Sequence, residues 1–264
     1  MTLLLGKIFV SVAVVLGLSW IAEKVNPRIA GILSGMPLGA VLVLFFVGLD
    51  LGPAFAAKTA LYAIPSTVAT MSFAVGYYFT SRLNVRFSPL ISAVGGLIPY
   101  FITASLLNLI TFNLALGVIL ALCVIIPAAY IFHSHQTNKI LKKVPMTWGR
   151  LAFRSGMAAA SVVVITTIAD TVGPQWSGLL IGFPITFLPF LLIIHMTYSG
   201  DQVRTIIRNF PMGLIGLLVF LSIATEIIPL VGVNIALLLS MAGALTYLTC
   251  LGVVLSKLKP QPAE

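Results

Sequence analysis

Apolar residues run along this chain in long blocks separated by short polar breaks, and the blocks lack the strict alternation of strands. Nine blocks approach the roughly 20 residues that a helix needs to cross a hydrocarbon core. They lie at approximately 4–22, 29–49, 59–80, 88–110, 113–132, 152–172, 176–197, 208–228 and 232–256. A transmembrane barrel would alternate polar and apolar positions along each strand, so helices are expected throughout. The pattern predicts an all-α integral membrane protein of about nine spans.

Composition agrees with the pattern. With 59% hydrophobic and 8% charged residues over 264 positions and a mean hydropathy of +1.13, the chain has too little polar surface to cover a soluble globule. The first block has the length of a secretory leader, but Glu23-Lys24-Val25 after it offers no small-residue cleavage site, so it is expected to stay as a span. Cys123 and Cys250 fall inside spans, where burial as small apolar residues is expected rather than a disulfide.

The net charge of +9 raises the prospect of a nucleic-acid partner, but the distribution of the charge argues against one. With nine spans, 13 of the 15 Lys and Arg residues fall on one side, and only Lys7 and Lys58 fall on the other. Basic loops stay in the cytoplasm, so the N-terminus is expected outside and the C-terminus inside a cell membrane, the inner membrane of a bacterial-type cell. Trp20, Trp148 and Trp176 sit near span ends, where amphipathic rings favour the interface.

The chain also repeats itself. Residues 7–38 and 154–185, at an offset of 147, are identical at 10 of 32 positions. Pro27, Gly31, Leu33, Gly35 and Pro37 recur in register as Pro174, Gly178, Leu180, Gly182 and Pro184. The copies start five crossings apart, an odd number, so the two repeats are expected to have inverted topology. The expected organisation is a first membrane repeat over 1–110, a connecting span and basic cytoplasmic loop over 111–151, a second, inverted repeat over 152–258, and a tail over 259–264. Beyond the second span of each copy the register is open. A similar phrase at Asn113-Leu-Ala115-Leu116 and Asn234-Ile-Ala236-Leu237 offers the end of span 5, or a merged span, as an alternative match to span 9.

The stretch Gly182-Phe-Pro184-Ile-Thr-Phe-Leu-Pro-Phe-Leu-Leu-Ile-Ile-His195, with the turn Gly200-Asp201 and Arg204 behind it, resembles the small GlpM-type four-span membrane proteins over about 50 residues. This chain carries an additional proline there, Pro189. The resemblance implies a half-sized relative of one repeat.

Pro37 and Pro184 fall near the middles of spans 2 and 7, and each removes a helical hydrogen bond. With Gly35 and Gly182 beside them, both helices should break at mid-membrane, offering helix N-termini to an anion and freed carbonyls to a cation. Ser34, Gly35, Pro37, Gly182, Pro184 and Thr186 are therefore the candidate substrate-binding residues. The competing role for the glycines is close helix packing through their small-xxx-small spacing. In span 3, Ser66, Thr67, Thr70 and Ser72 are expected mainly to bond their own helix. Asn108 and Asn113 are expected to cap helices. His195, Asp170 and Glu226 are candidate coupling residues, although the acids lie toward the outer span ends and the histidine toward the cytoplasmic end.

The sequence carries no metal, nucleotide or nucleophile motif, and His133-Ser-His135 supplies two ligands where a zinc site needs three or four. The expectation is a non-enzymatic permease without cofactor or metal, moving a small anionic or amphipathic solute by alternating access. A small-molecule solute and membrane lipids are the expected partners, no nucleic acid is expected, and a homodimer is admitted. The alternative is a non-transporting scaffold or lipid-handling subunit in envelope biogenesis, with the basic loop docking a cytoplasmic partner.

Overall fold

The computed structural model describes residues 6–10, 12–13, 37–83, 85–134 and 147–257, and all regular structure among them is helical. After the helical residues 6–10 and 12–13, eight further helices are described in order: α1 (Leu38–Leu51), α2 (Pro53–Thr80), α3 (Ser88–Leu107), α4 (Leu114–Ser134), α5 (Trp148–Ile181), α6 (Phe187–Thr197), α7 (Gly200–Val231) and α8 (Val233–Lys257). Six of them, all but α1 and α6, are long and apolar enough to cross a membrane. The candidate residues Ser34 and Gly35 lie outside the described residues.

Three helix junctions use one device. Gly52 (φ 87°, ψ 168°), Gly173 (φ 76°, ψ 172°) and Gly232 (φ 80°, ψ 168°) turn the chain between helices with no intervening loop. Positive φ at this ψ is a glycine conformation, and Pro53 and Pro174 then start the next helix with φ already set. Helix α5 is therefore two helices, 148–172 and 174–181, joined at a sharp turn.

Helix α2 is the central element, packed against α1, α3, α4, α5 and α7. Glycines let it lie close to its neighbours. A Cβ on Gly178 would come 2.5 Å from the Thr59 carbonyl oxygen and 2.8 Å from the Ala63 nitrogen, and one on Gly96 would come 2.9 Å from the Phe73 carbonyl oxygen. Such small-residue contacts are how helices associate where no hydrophobic effect drives them together.

The helix boundaries carry a spacing of their own. Helix α2 begins at Pro53 and α7 at Gly200, an offset of 147; α1 and α6 start at Leu38 and Phe187, and α3 and α8 at Ser88 and Val233, within two residues of that offset. Helices α4 and α5 stand between the two series. In this register Asn234 falls opposite Phe87 rather than Asn113. The shared phrase instead marks two helix starts, and Asn113 Oδ1 accepts the Leu116 N–H at 2.8 Å as an N-cap.

The expected burial of Cys123 and Cys250 is overturned, because both are exposed on α4 and α8. Their neighbours Ile119, Ile126, Val253 and Val254 are exposed too. These are outward faces of apolar helices, the faces that acyl chains would cover in a membrane-spanning helix.

Candidate functional site

Two helix starts converge on a small, partly open cavity of about 40 Å³. One is the N-terminus of α1, where Pro37, Gly39 and Ala40 line the space; the other is the segment 181–187, where α5 stops and α6 begins. Thr70 of α2 and Phe210, Leu214 and Leu217 of α7 complete the wall. The two starts touch, since a Cβ on Gly39 would sit 3.4 Å from Ile185 Cδ1.

The interruption at 182–186 follows from its residues. Pro184 has no N–H to give to a helical carbonyl, and Phe183 N bonds the Leu180 oxygen at 3.0 Å in a tightened last turn. Ile185 N closes onto the Phe183 oxygen at 2.6 Å, and Leu188 N onto the Pro184 oxygen at 2.9 Å, which starts α6. Pro189 is tolerated because it lies in the first turn of that helix.

The carbonyl end of the break is covered by side chains. Thr70 Oγ1 donates to the Gly182 oxygen at 2.6 Å and Tyr100 OH donates to the Leu179 oxygen at 2.6 Å, both buried. Among the described residues, no side chain covers the positive ends in the same way. Neither α1 nor α6 has a side-chain N-cap bond, and Thr186, although it is the α6 N-cap residue, supplies none. Stacked aromatics fix the α6 side of the cavity, with Phe187 and Phe210 3.9 Å apart and 6° from parallel.

Of the candidate residues, Pro37, Gly182, Pro184 and Thr186 are brought together here. Gly182 also has a packing role: a Cβ there would overlap the Ser66 hydroxyl and come 2.8 Å from the Ser66 carbonyl oxygen. The coupling candidates are elsewhere. Asp170 and Glu226 are exposed, and His195 is buried near the far end of α6, between Tyr77 OH at 3.2 Å and Ser88 Oγ at 3.3 Å.

The span-3 hydroxyls behave largely as expected, since Ser66, Thr67 and Ser72 bond carbonyls three or four residues back. Thr70 does so as well, and its reach to Gly182 was the part sequence reasoning missed. A second missed contact is the ion pair of Lys7 Nζ with Asp50 Oδ2 at 2.6 Å, where the Lys7 side chain is 6% exposed and that of Asp50 23%. The available signal was a lone cation and a lone acid, each at the edge of an apolar block. A third is the meeting of Arg82 and Arg208 on Tyr78. No protein family matches the chain, and no curated protein or solved structure matches it either.

Proposed function

We propose that this chain is a small secondary transporter, a multi-pass permease built from two inverted repeats, that moves a small anionic solute by alternating access around the cavity between α1 and α6. The carrying observation is the asymmetry of the break. Its carbonyl end is engaged by Thr70 and Tyr100, while the two helix N-termini that face the same space have no side-chain cap among the described residues. N–H groups at a helix start attract negative charge, so an anion suits the site and a cation does not.

The repeated helix starts at an offset of 147 support the duplication, with α1 to α3 matching α6 to α8 and α4 as the connecting span. An interrupted span is also the usual device for placing a site at mid-membrane in inverted-repeat transporters. The topology that goes with this reading has nine spans, the N-terminus outside and the C-terminus in the cytoplasm. The likeness of residues 182–204 to GlpM-type proteins fits a half-sized relative of the second repeat. One observation favours the scaffold reading: Gly178 and Gly182, two of the repeated glycines, pack against α2.

Thiol labelling separates the two readings without knowledge of the solute. In a Cys123→Ser, Cys250→Ser background, Thr186→Cys is treated with a membrane-impermeant thiol reagent in sealed vesicles of each orientation. A transporter predicts reaction from both faces and protection by a member of a carboxylate and phosphate panel, but not by alkali cations. A thiol unreactive from both faces, in protein that remains folded, sinks the transport reading and leaves the scaffold.

A further inference from the structure

The two short helices that start at the cavity lead away from it toward opposite ends of α2. Helix α1 runs from the cavity to Leu51, where Gly52 turns the chain into the first residue of α2. Helix α6 runs from the cavity to His195, which meets Tyr77 of α2. Thr70, in the cavity wall, lies on α2 between these two meetings, two turns before Tyr77.

Each far end closes against the first residue of another helix. A Cβ on Gly48 of α1 would come 2.5 Å from Val233 Cγ2 and 3.1 Å from Val233 Cβ, at the start of α8. His195 Nε2 of α6 lies 3.3 Å from Ser88 Oγ, at the start of α3. Gly48 and His195 stand 147 positions apart and Ser88 and Val233 145, so the two closures correspond in chain position as the helix starts do.

Their chemistry differs. The Gly48 closure is apolar, and it parts only by exposing apolar surface. The His195 closure is polar, with Tyr77 OH 3.2 Å from Nδ1 and Ser88 Oγ on the other ring nitrogen. A neutral imidazole donates from one nitrogen and accepts at the other, and a hydroxyl does either, so both bonds form in either tautomer. Water entering the junction replaces each bond that it breaks, which makes opening reversible at small net cost. Rings also connect this closure to the cavity: His195 to Tyr77 at 5.9 Å, Tyr77 to Phe73 at 5.9 Å, Phe73 to Phe187 at 6.2 Å, and Phe187 stacked on Phe210 in the wall.

We propose that Tyr77, His195 and Ser88 form a hydrogen-bonded gate between the cavity and one face of the membrane, and that Gly48 and Val233 form the apolar gate to the other. This assignment rests on the transport reading, on whose topology the His195 gate faces the cytoplasm.

The test labels Thr186→Cys, in the background without Cys123 and Cys250, with an impermeant thiol reagent from each face of sealed vesicles, and reads the ratio of the two rates. Tyr77→Phe and His195→Ala should each shift the ratio toward the His195 face by about twofold to tenfold, the worth of a hydrogen bond. Val233→Ala removes the methyls that lie on Gly48 and should shift the ratio toward the opposite face. Opposite shifts are the signature of two gates that alternate, whereas side chains that only hold the fold together would loosen both faces alike. An unmoved ratio, or the same shift in all three variants, overturns the gates. Tyr77→Phe keeps the ring and its packing, so it decides the matter where His195→Ala does not fold. A parent thiol that reacts from both faces with an unmoved ratio in the variants leaves transport standing and overturns the gates alone; a parent thiol unreactive from both faces overturns both.

Discussion

Gly182 lies where a packing contact and a cavity wall coincide, and replacing it by alanine separates the two. Its φ of −70° and ψ of −9° suit any residue, so alanine brings no backbone strain and reduces unfolded-state freedom, a gain of about 0.4–1 kcal/mol. Against that, the new Cβ overlaps the Ser66 hydroxyl and comes 2.8 Å from the Ser66 carbonyl oxygen, and a backbone atom in the middle of α2 cannot move without shifting the helix. Overpacking of this kind costs about 1–3 kcal/mol, so the net effect is a loss of roughly 1–2 kcal/mol. For a chain of this length that corresponds to a fall in melting temperature of about 2–8 °C. Gly156 in α5 is the control, because a Cβ there meets nothing within 4 Å. Gly156→Ala should stabilise by up to about 1 kcal/mol, so the two substitutions have opposite signs. The assay is thermal unfolding in detergent at one scan rate, followed by tryptophan fluorescence. Adding Ser66→Gly to Gly182→Ala removes the hydroxyl and Cβ overlap, and the pair should show a favourable coupling of about 1 kcal/mol. A Gly182→Ala protein as stable as the parent, or a double variant with no coupling, would refute the packing argument.

The other expectations concern the polar contacts. Thr70→Val removes the donor that covers the Gly182 carbonyl and should cost about 1–2 kcal/mol in the same melts, whereas Thr70→Ser should stay within about half of that loss; a valine variant equal to the parent would show that the carbonyl needs no cover. For the Lys7–Asp50 pair, Asp50→Asn leaves a cation whose side chain is 6% exposed and should cost about 3 kcal/mol. Lys7→Met leaves the better solvated acid and should cost less, and Lys7→Met with Asp50→Leu should recover most of the loss. Additive losses in that double variant would contradict a buried, mutually neutralising pair.

The break at Pro184 and the helical fold could be read from the sequence because each leaves a mark in one stretch of chain. Proline alone was a poor guide to breaks. Pro65, Pro99, Pro127, Pro211 and Pro229 all sit inside continuous helices, and the interruption at 182–186 combines Pro184 with Gly182 pressed onto Ser66. What could not be read was which face of each helix meets which neighbour. A membrane helix is apolar all round, so no polar stripe tells the protein side from the lipid side. That is why Cys123 and Cys250 were expected inside, and why Thr70 looked like another self-bonded hydroxyl until α5 was laid against α2. Likewise Tyr78, Arg82 and Arg208 are separated by up to 130 positions, and only folding makes them neighbours.

The size and chemistry of the cavity constrain the proposed cycle. A helix N-terminus favours an anion by about 0.3–1 kcal/mol, and up to about 2 kcal/mol when partly buried, so two termini supply at most about 4 kcal/mol. That corresponds to a dissociation constant near 1 mM. Weak binding suits a carrier, which must release its solute on the far side of the membrane in every cycle. The cavity volume of about 40 Å³ holds a few waters or a small inorganic anion, well below the roughly 300 Å³ at which pockets for organic ligands begin. On this reading an organic acid can enter only if the wall moves. The stacked Phe187 and Phe210 join α6 to α7, while the contact of Gly39 with Ile185 joins α1 to the break. Alternating access then requires one of these contacts to part while the other holds, because opening both at once would connect the two sides of the membrane.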